Sequence, residues 1–143
     1  MSDMLEELVL RLNTHSTPEG TTFFAELQDE LIHVVCSNNE EFPINIVKTD
    51  MQILTVSHLF SEDEVMDGKL DELNKIMLQL NPSIPLSSVG LKDGQYILFG
   101  AMAVETLFEN LAHELGVQAE NVIELLDAVS PMLASNETRG IKS

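Results

Sequence analysis

Thr22-Phe-Phe-Ala-Glu-Leu27, Leu31-Ile-His-Val-Val-Cys36 and the runs at 42–48 and 52–59 are short bursts of branched, aromatic and apolar residues. Such bursts, bounded by turn formers, read as strands. Gln28-Asp29-Glu30 separates the first two, Asn38-Asn39-Glu40-Glu41 follows the second, and Thr49-Asp50 joins the last two. The four therefore pair in order as antiparallel hairpins. Ile44, Ile46 and Ile53, with Leu54 or Val56, supply the buried side of a half-covered sheet. Pro43 lacks an amide donor, which suits a strand start or an edge.

Outward from this block the period becomes helical. Upstream, Leu5, Leu8, Val9 and Leu12 follow i, i+3, i+4, i+7 spacing, with Ser2 as cap and Asp3 and Glu6 near the positive end of the dipole. This helix ends near Asn13, before the polar turn Thr14-His-Ser-Thr-Pro-Glu-Gly20. Downstream, Ser61-Glu-Asp-Glu64 has the form of a capping box. The helix it predicts carries Met66, Leu70, Leu73, Met77 and Leu80 on one stripe, widened by Val65 and Ile76, until Asn81-Pro82 stops it.

Two more strands follow, the segment from Ser83 to Leu91 and the run from Gln95 to Met102, around the hairpin signal Lys92-Asp93-Gly94. The unbroken apolar run from Tyr96 to Met102 predicts a central strand covered on both sides, with Gly90 and Gly100 admitting a close neighbour. From Ala103 to about Ala134 the chain turns helical again. Phe108, Leu111, Leu115, Gln118, Val122, Leu125, Val129 and Met132 step by three and four, and only Gln118 is polar. The element order is thus α-β-β-β-β-α-β-β-α. It predicts an α+β protein, an antiparallel sheet of five to six strands flanked by helices, with residues 1–135 as one domain and 136–143 as a flexible tail.

Composition narrows the function classes. The 143 residues include 24 acids but only seven lysines and arginines, a net charge of −17, with 44% apolar residues to build a core. Acids are spread along the chain and the bases never cluster, so the surface repels phosphate backbones and anionic headgroups; nucleic acid and membrane surfaces are not expected partners. No uncharged run of about 18 apolar residues exists, and Met1-Ser-Asp-Met-Leu-Glu-Glu7 has no signal-peptide form. A cytoplasmic location is expected. The single Cys36, in a strand-like run, reads as a buried small hydrophobe.

No segment assembles chemistry. His15, His33, His58 and His113 have no metal-pair spacing, and Cys36 has no nearby thiol. Asp63, Asp67 and Asp71 stand four apart on the second predicted helix, a carboxylate ladder without the glycine of a calcium loop. Ser87 and Ser88 lie near Gly90 without a nucleophile elbow, and no glycine-rich phosphate loop occurs. The expectation is no catalytic residue, cofactor or metal. The competing expectation is a small-ligand or enzyme site assembled from distant residues, with His33, His58 and Cys36 as its members.

The last helix carries the sequence argument for an interface. About 30 residues at 1.5 Å each would span about 45 Å, more than the sheet is wide. Leu111, Leu115, Val122, Leu125 and Val129 are therefore expected to meet a second copy or a partner. Seven methionines, adaptable in shape, add to a protein-binding reading.

Leu86-Ser-Ser-Val-Gly-Leu91, Tyr96-Ile-Leu-Phe-Gly-Ala-Met102 and the acidic amphipathic last helix resemble the YjfI family of small bacterial proteins, a domain of unknown function. Leu78-Gln-Leu-Asn-Pro82 before Pro85-Leu86 is similar in layout, so the likeness covers nearly the whole chain. The resemblance implies no catalytic residue. It implies a setting beside phage-shock-protein A-like coiled-coil proteins, hence envelope stress and a helical partner. The element order also resembles that of type III secretion chaperones, which implies a homodimer that binds a protein client.

Overall fold

A computed structural model describes residues 2–134. The proposed tail at 136–143 lies outside them. Helix α1 (Ser2–Asn13) precedes a meander of four strands, β1 (Phe23–Gln28), β2 (Leu31–Cys36), β3 (Asn39–Lys48) and β4 (Gln52–Ser61). Helix α2 (Leu70–Leu80), the hairpin β5 (Ser88–Lys92) and β6 (Gln95–Ala103), and helix α3 (Phe108–Val129) follow. The six strands form one sheet in the order β1-β2-β3-β4-β6-β5, every neighbouring pair antiparallel. Asp93 and Gly94 take φ of 53° and 77°, the left-handed pair that matches the twist of a two-residue hairpin.

One side of the sheet carries the core, because alternate strand residues point to it and the helices lie there. Inward Ile32, Val34, Ile44 and Ile46 pack with Leu5 and Leu12 of α1 and with Leu111, Leu115 and Ala119 of α3. A second cluster joins Leu73 and Met77 of α2, Tyr96 and Leu98 of β6, and Val122, Leu125 and Val129 of α3. Between them lies a polar belt. Gln118 Nε2 donates to Thr55 O (3.2 Å), Ser57 Oγ (2.9 Å) and Leu98 O (3.3 Å), while Thr55 Oγ1 donates to Gln118 Oε1 at 2.7 Å.

Several boundaries differ from the sequence reading. Pro43 sits in an inner strand, where a bulge between Val34 and Cys36 interrupts the β2–β3 register, so its missing amide breaks no regular ladder. The Glu64 carboxylate does accept the Ser61 amide at 2.9 Å, but the turn it closes is one 3-10 turn, Glu62–Glu64. Val65 then bridges Leu133, Met66 N donates to Met132 O and Ala134 N to Glu64 O, so this clasp holds the backbone extended and α2 starts only at Leu70. Asp63, Asp67 and Asp71 consequently share no helix face, and the carboxylate ladder does not exist. Ala103 remains paired with Gln52, so α3 starts at Phe108 and its 22 residues span about 33 Å at 1.5 Å each.

Candidate docking face

The shorter α3 changes the expected interface. Leu111, Leu115, Val122, Leu125 and Val129 are 0–4% exposed, packed against the chain's own sheet and α2. Once β6 takes residues up to Ala103, the helix matches the sheet it crosses and no stripe is left over. A second copy or partner cannot reach these five side chains while the fold is intact.

The unpartnered apolar surface lies on the other side of the sheet. The run in β6 expected to be covered on both sides alternates instead: Tyr96, Leu98 and Met102 are buried under helices, whereas Ile97 and Phe99 are half-buried and Ala101 exposed. Leu54 and Val56 of β4 and Leu31, Val35 and Val47 of β2 and β3 are likewise half-buried and point outward. Cross-strand pairing sets Val56 beside Phe99 and Leu54 beside Val47, giving one continuous field. Phe24 on edge strand β1 is 60% exposed on the same side.

Near the β5 edge this field deepens into an open cavity of about 430 Å³. Its floor is Leu54, Val56, Ile97 and Phe99; His58, Lys92, Asp93 and Gln95 form the rim. Gly90 on the neighbouring strand gives the Phe99 ring its room, since a Cβ there would meet Phe99 Cε1 at 3.1 Å. Charge is scarce here. Across 24–28, 31–35, 45–47, 54–58, 88–92 and 97–103, the outward positions hold one acid, Glu26, of the chain's 24. Lys92 and Asp93 pair with each other at 3.8 Å and are well exposed, so they contribute little field.

The alternative site does not converge. His33 and His58 stand on the outer side, His33 Nδ1 at 3.2 Å from Asn45 Oδ1 and His58 on the cavity rim. Cys36 is buried on the helix side, its Sγ directed at Leu115 O (3.9 Å), and burial pushes its thiol up to about 12. A thiol so placed is neutral and unreactive at physiological pH. Ser87 is buried in a turn, bonded to Pro85 O and to Asn121 Nδ2. Among the described residues no three His, Cys, Asp or Glu side chains are grouped to hold a metal ion, and no helix is long and apolar enough to cross a membrane. The outward face was missed because period-two alternation fixes which residues share a side and says nothing about what covers it.

A family model described as an uncharacterized protein conserved in bacteria, DUF2170, matches residues 3–133. The chain belongs to this family. YjfI of Escherichia coli K12 is 25% identical over 124 residues, 84% of this chain and 91% of YjfI, and YjfI of strain O157:H7 matches equally. Among solved structures, YbjN from E. coli has a TM-score of 0.60 at 16% identity, covering 93% of this chain and 95% of its own. A chain of the heterodimeric ExoU–SpcU complex from the type III secretion system of Pseudomonas aeruginosa has a TM-score of 0.56 at 14% identity, covering 90% and 100%. A chain of the ExsC–ExsE complex reaches 0.50 at 13%, covering 85% and 90%. At these identities the likeness is one of fold.

Proposed function

We propose that this DUF2170 chain is a non-enzymatic, chaperone-like protein-binding module of the cytoplasm that receives a partner on the uncovered side of its sheet. One observation carries the reading: a continuous apolar, acid-poor field on a protein of net charge −17. Such a field left to water is costly, and its polar rim and apolar floor have the anatomy of an interface. The fold likeness to chains solved in two-protein complexes supports it. The partner classes are a second copy and, through the YjfI resemblance, a phage-shock-protein A-like coiled coil whose apolar stripe would lie along Leu54, Val56 and Phe99.

The test is calorimetric titration with a purified phage-shock-protein A-like coiled coil. Val56→Asp, half-buried on the outer face, should weaken binding at least tenfold while leaving the melting temperature within a few degrees, about 1.4 kcal/mol of interface free energy per tenfold. Unchanged binding in the variant, or no binding by this coiled coil or by a second copy, overturns the reading. A second reading is a small amphipathic ligand with its apolar body on the cavity floor and an anionic end near Lys92 and His58. Saturable shifts of the Ile97 and Phe99 signals on titrating a medium-chain fatty acid would favour it.

A further inference from the structure

We infer that the occupant of the outer face is a second copy of this chain, paired about a two-fold axis parallel to the strands, with Phe24 of each copy seated in the cavity of the other. The inference rests on the docking reading above and names its occupant.

Shape is the first argument. Phe24 and the cavity lie on the same side of the sheet at opposite edges, one a protruding ring and the other a hole. Their levels along the strands also agree. Phe24 pairs with Val35, whose neighbour Val34 pairs with Ile44; Asn45, next to Ile44, pairs with Val56, and His58 and Gly90 both pair with Ile97. Counting along the strands sets Phe24 level with His58, Ile97 and Gly90, one residue from where the β2–β3 register shifts. A two-fold axis parallel to the strands and running along β3 reverses the strand order of the facing copy and preserves level. It sets β1 over β6, β2 over β4 and β3 over its own counterpart, bringing each Phe24 above Ile97 on the partner's cavity floor, with His58 on the strand to one side and Gly90 on the strand to the other. An axis across the strands would set β1 on β1 and leave both holes empty. Self-complementarity of this kind is what an isologous dimer requires, and aligned sheets pack within about 30° of each other.

Charge is the second argument. Two bodies of −17 each repel, and they can meet only where acid is absent. The outer face is nearly such a place: the paired strand positions hold only Glu26, at the edge, and Asp93 on the cavity rim is paired with Lys92. A basic partner would instead gain most on the acidic surfaces elsewhere. Size sets the expected strength. With β1 over β6 the overlap covers five strands, whose four gaps of about 4.8 Å make it about 19 Å wide, and about 20 Å of its length is apolar. The pair would bury on the order of 800 Å², in the range of weak, transient encounters, so self-association in the upper micromolar range is expected.

Sedimentation equilibrium from about 1 to about 300 µM tests this range. The unmodified chain should change from monomer to dimer. Phe24→Glu, removing an exposed ring, and His58→Trp, narrowing the cavity at an exposed rim position, should each weaken association at least tenfold with unchanged melting temperature. Leu78→Glu, at an exposed leucine of α2 on the helix side, should leave it unaltered. Phe24→Glu combined with His58→Lys should recover part of the association, which a nonspecific effect of either change would not give. A monomer throughout the range, or a dimer indifferent to Phe24→Glu, overturns the inference. If the chain is monomeric yet Phe24→Glu abolishes capture of a phage-shock-protein A-like coiled coil, self-pairing is wrong and the docking face stands.

Discussion

Gln118 occupies a position on α3 where its neighbours on the same stripe are leucine and valine. Its amide reaches both the Thr55 and Ser57 hydroxyls and the Leu98 carbonyl, so it fixes the helix against β4 and β6. Gln118→Leu preserves volume roughly but strands those buried groups, at about 1–3 kcal/mol for each left without a partner. Urea denaturation should register a loss of about 2–3 kcal/mol, with the slope unchanged. Glu114, one turn earlier, behaves in the opposite sense. Burial raises its carboxyl above the ordinary range, with His113 opposing, so the folded state holds the proton more tightly than the unfolded state and ionisation works against folding. Glu114→Gln should therefore raise the melting temperature modestly at pH 7. The advantage should shrink as pH falls through the raised carboxylate range, where the wild-type side chain becomes neutral; a difference independent of pH would show that charge is not the cause.

At the scale of elements, α3 contains Gly116 mid-helix, where glycine costs about 1 kcal/mol relative to alanine. A Cβ there would meet only Thr21 Oγ1, at 3.8 Å, so packing does not require the glycine. Gly116→Ala should raise stability by about 0.5–1 kcal/mol in thermal or urea denaturation. All the strands and helices are legible in the sequence, since Ile44, Ile46 and Ile53 declare a half-covered sheet and Leu111 to Val129 an amphipathic helix. What is not legible is where competing structures divide the chain. Ala103 suits helix or strand, and its pairing with Gln52 decides; Val65 fits a helical stripe, yet its bridge to Leu133 wins. The site was less legible still. Ile97 and Phe99 would read the same under a helix or in the open, and only the placement of all three helices on one side separates the two cases. The seam on α3 misled for the same reason, because a stripe records that something covers it and not whether the cover belongs to the same chain.

For the whole molecule, 24 acids against seven lysines and arginines imply a fold under self-repulsion. Ion pairs such as Lys69–Glu72 at 3.4 Å are exposed and offset little of it. Raising salt from dilute buffer to about 0.3 M shortens the screening length to about 6 Å and should raise the melting temperature. An unchanged value would mean the acids are too dispersed to matter. The arrangement of helices on one side also has a consequence for the order in which the molecule is made. By the time Ala103 leaves the ribosome all six strands have been synthesised, yet Ile44, Ile46 and Leu98 await α3, the last large element of the described chain. Until Val129 emerges, the nascent sheet is apolar on both sides, a state prone to capture by other growing chains. A fragment ending at Ala103 should accordingly bind a hydrophobic dye and sediment as aggregate, whereas one ending at Ala134 should not. Vectorial synthesis thus makes α3 the step that turns a two-sided adhesive sheet into a one-sided one.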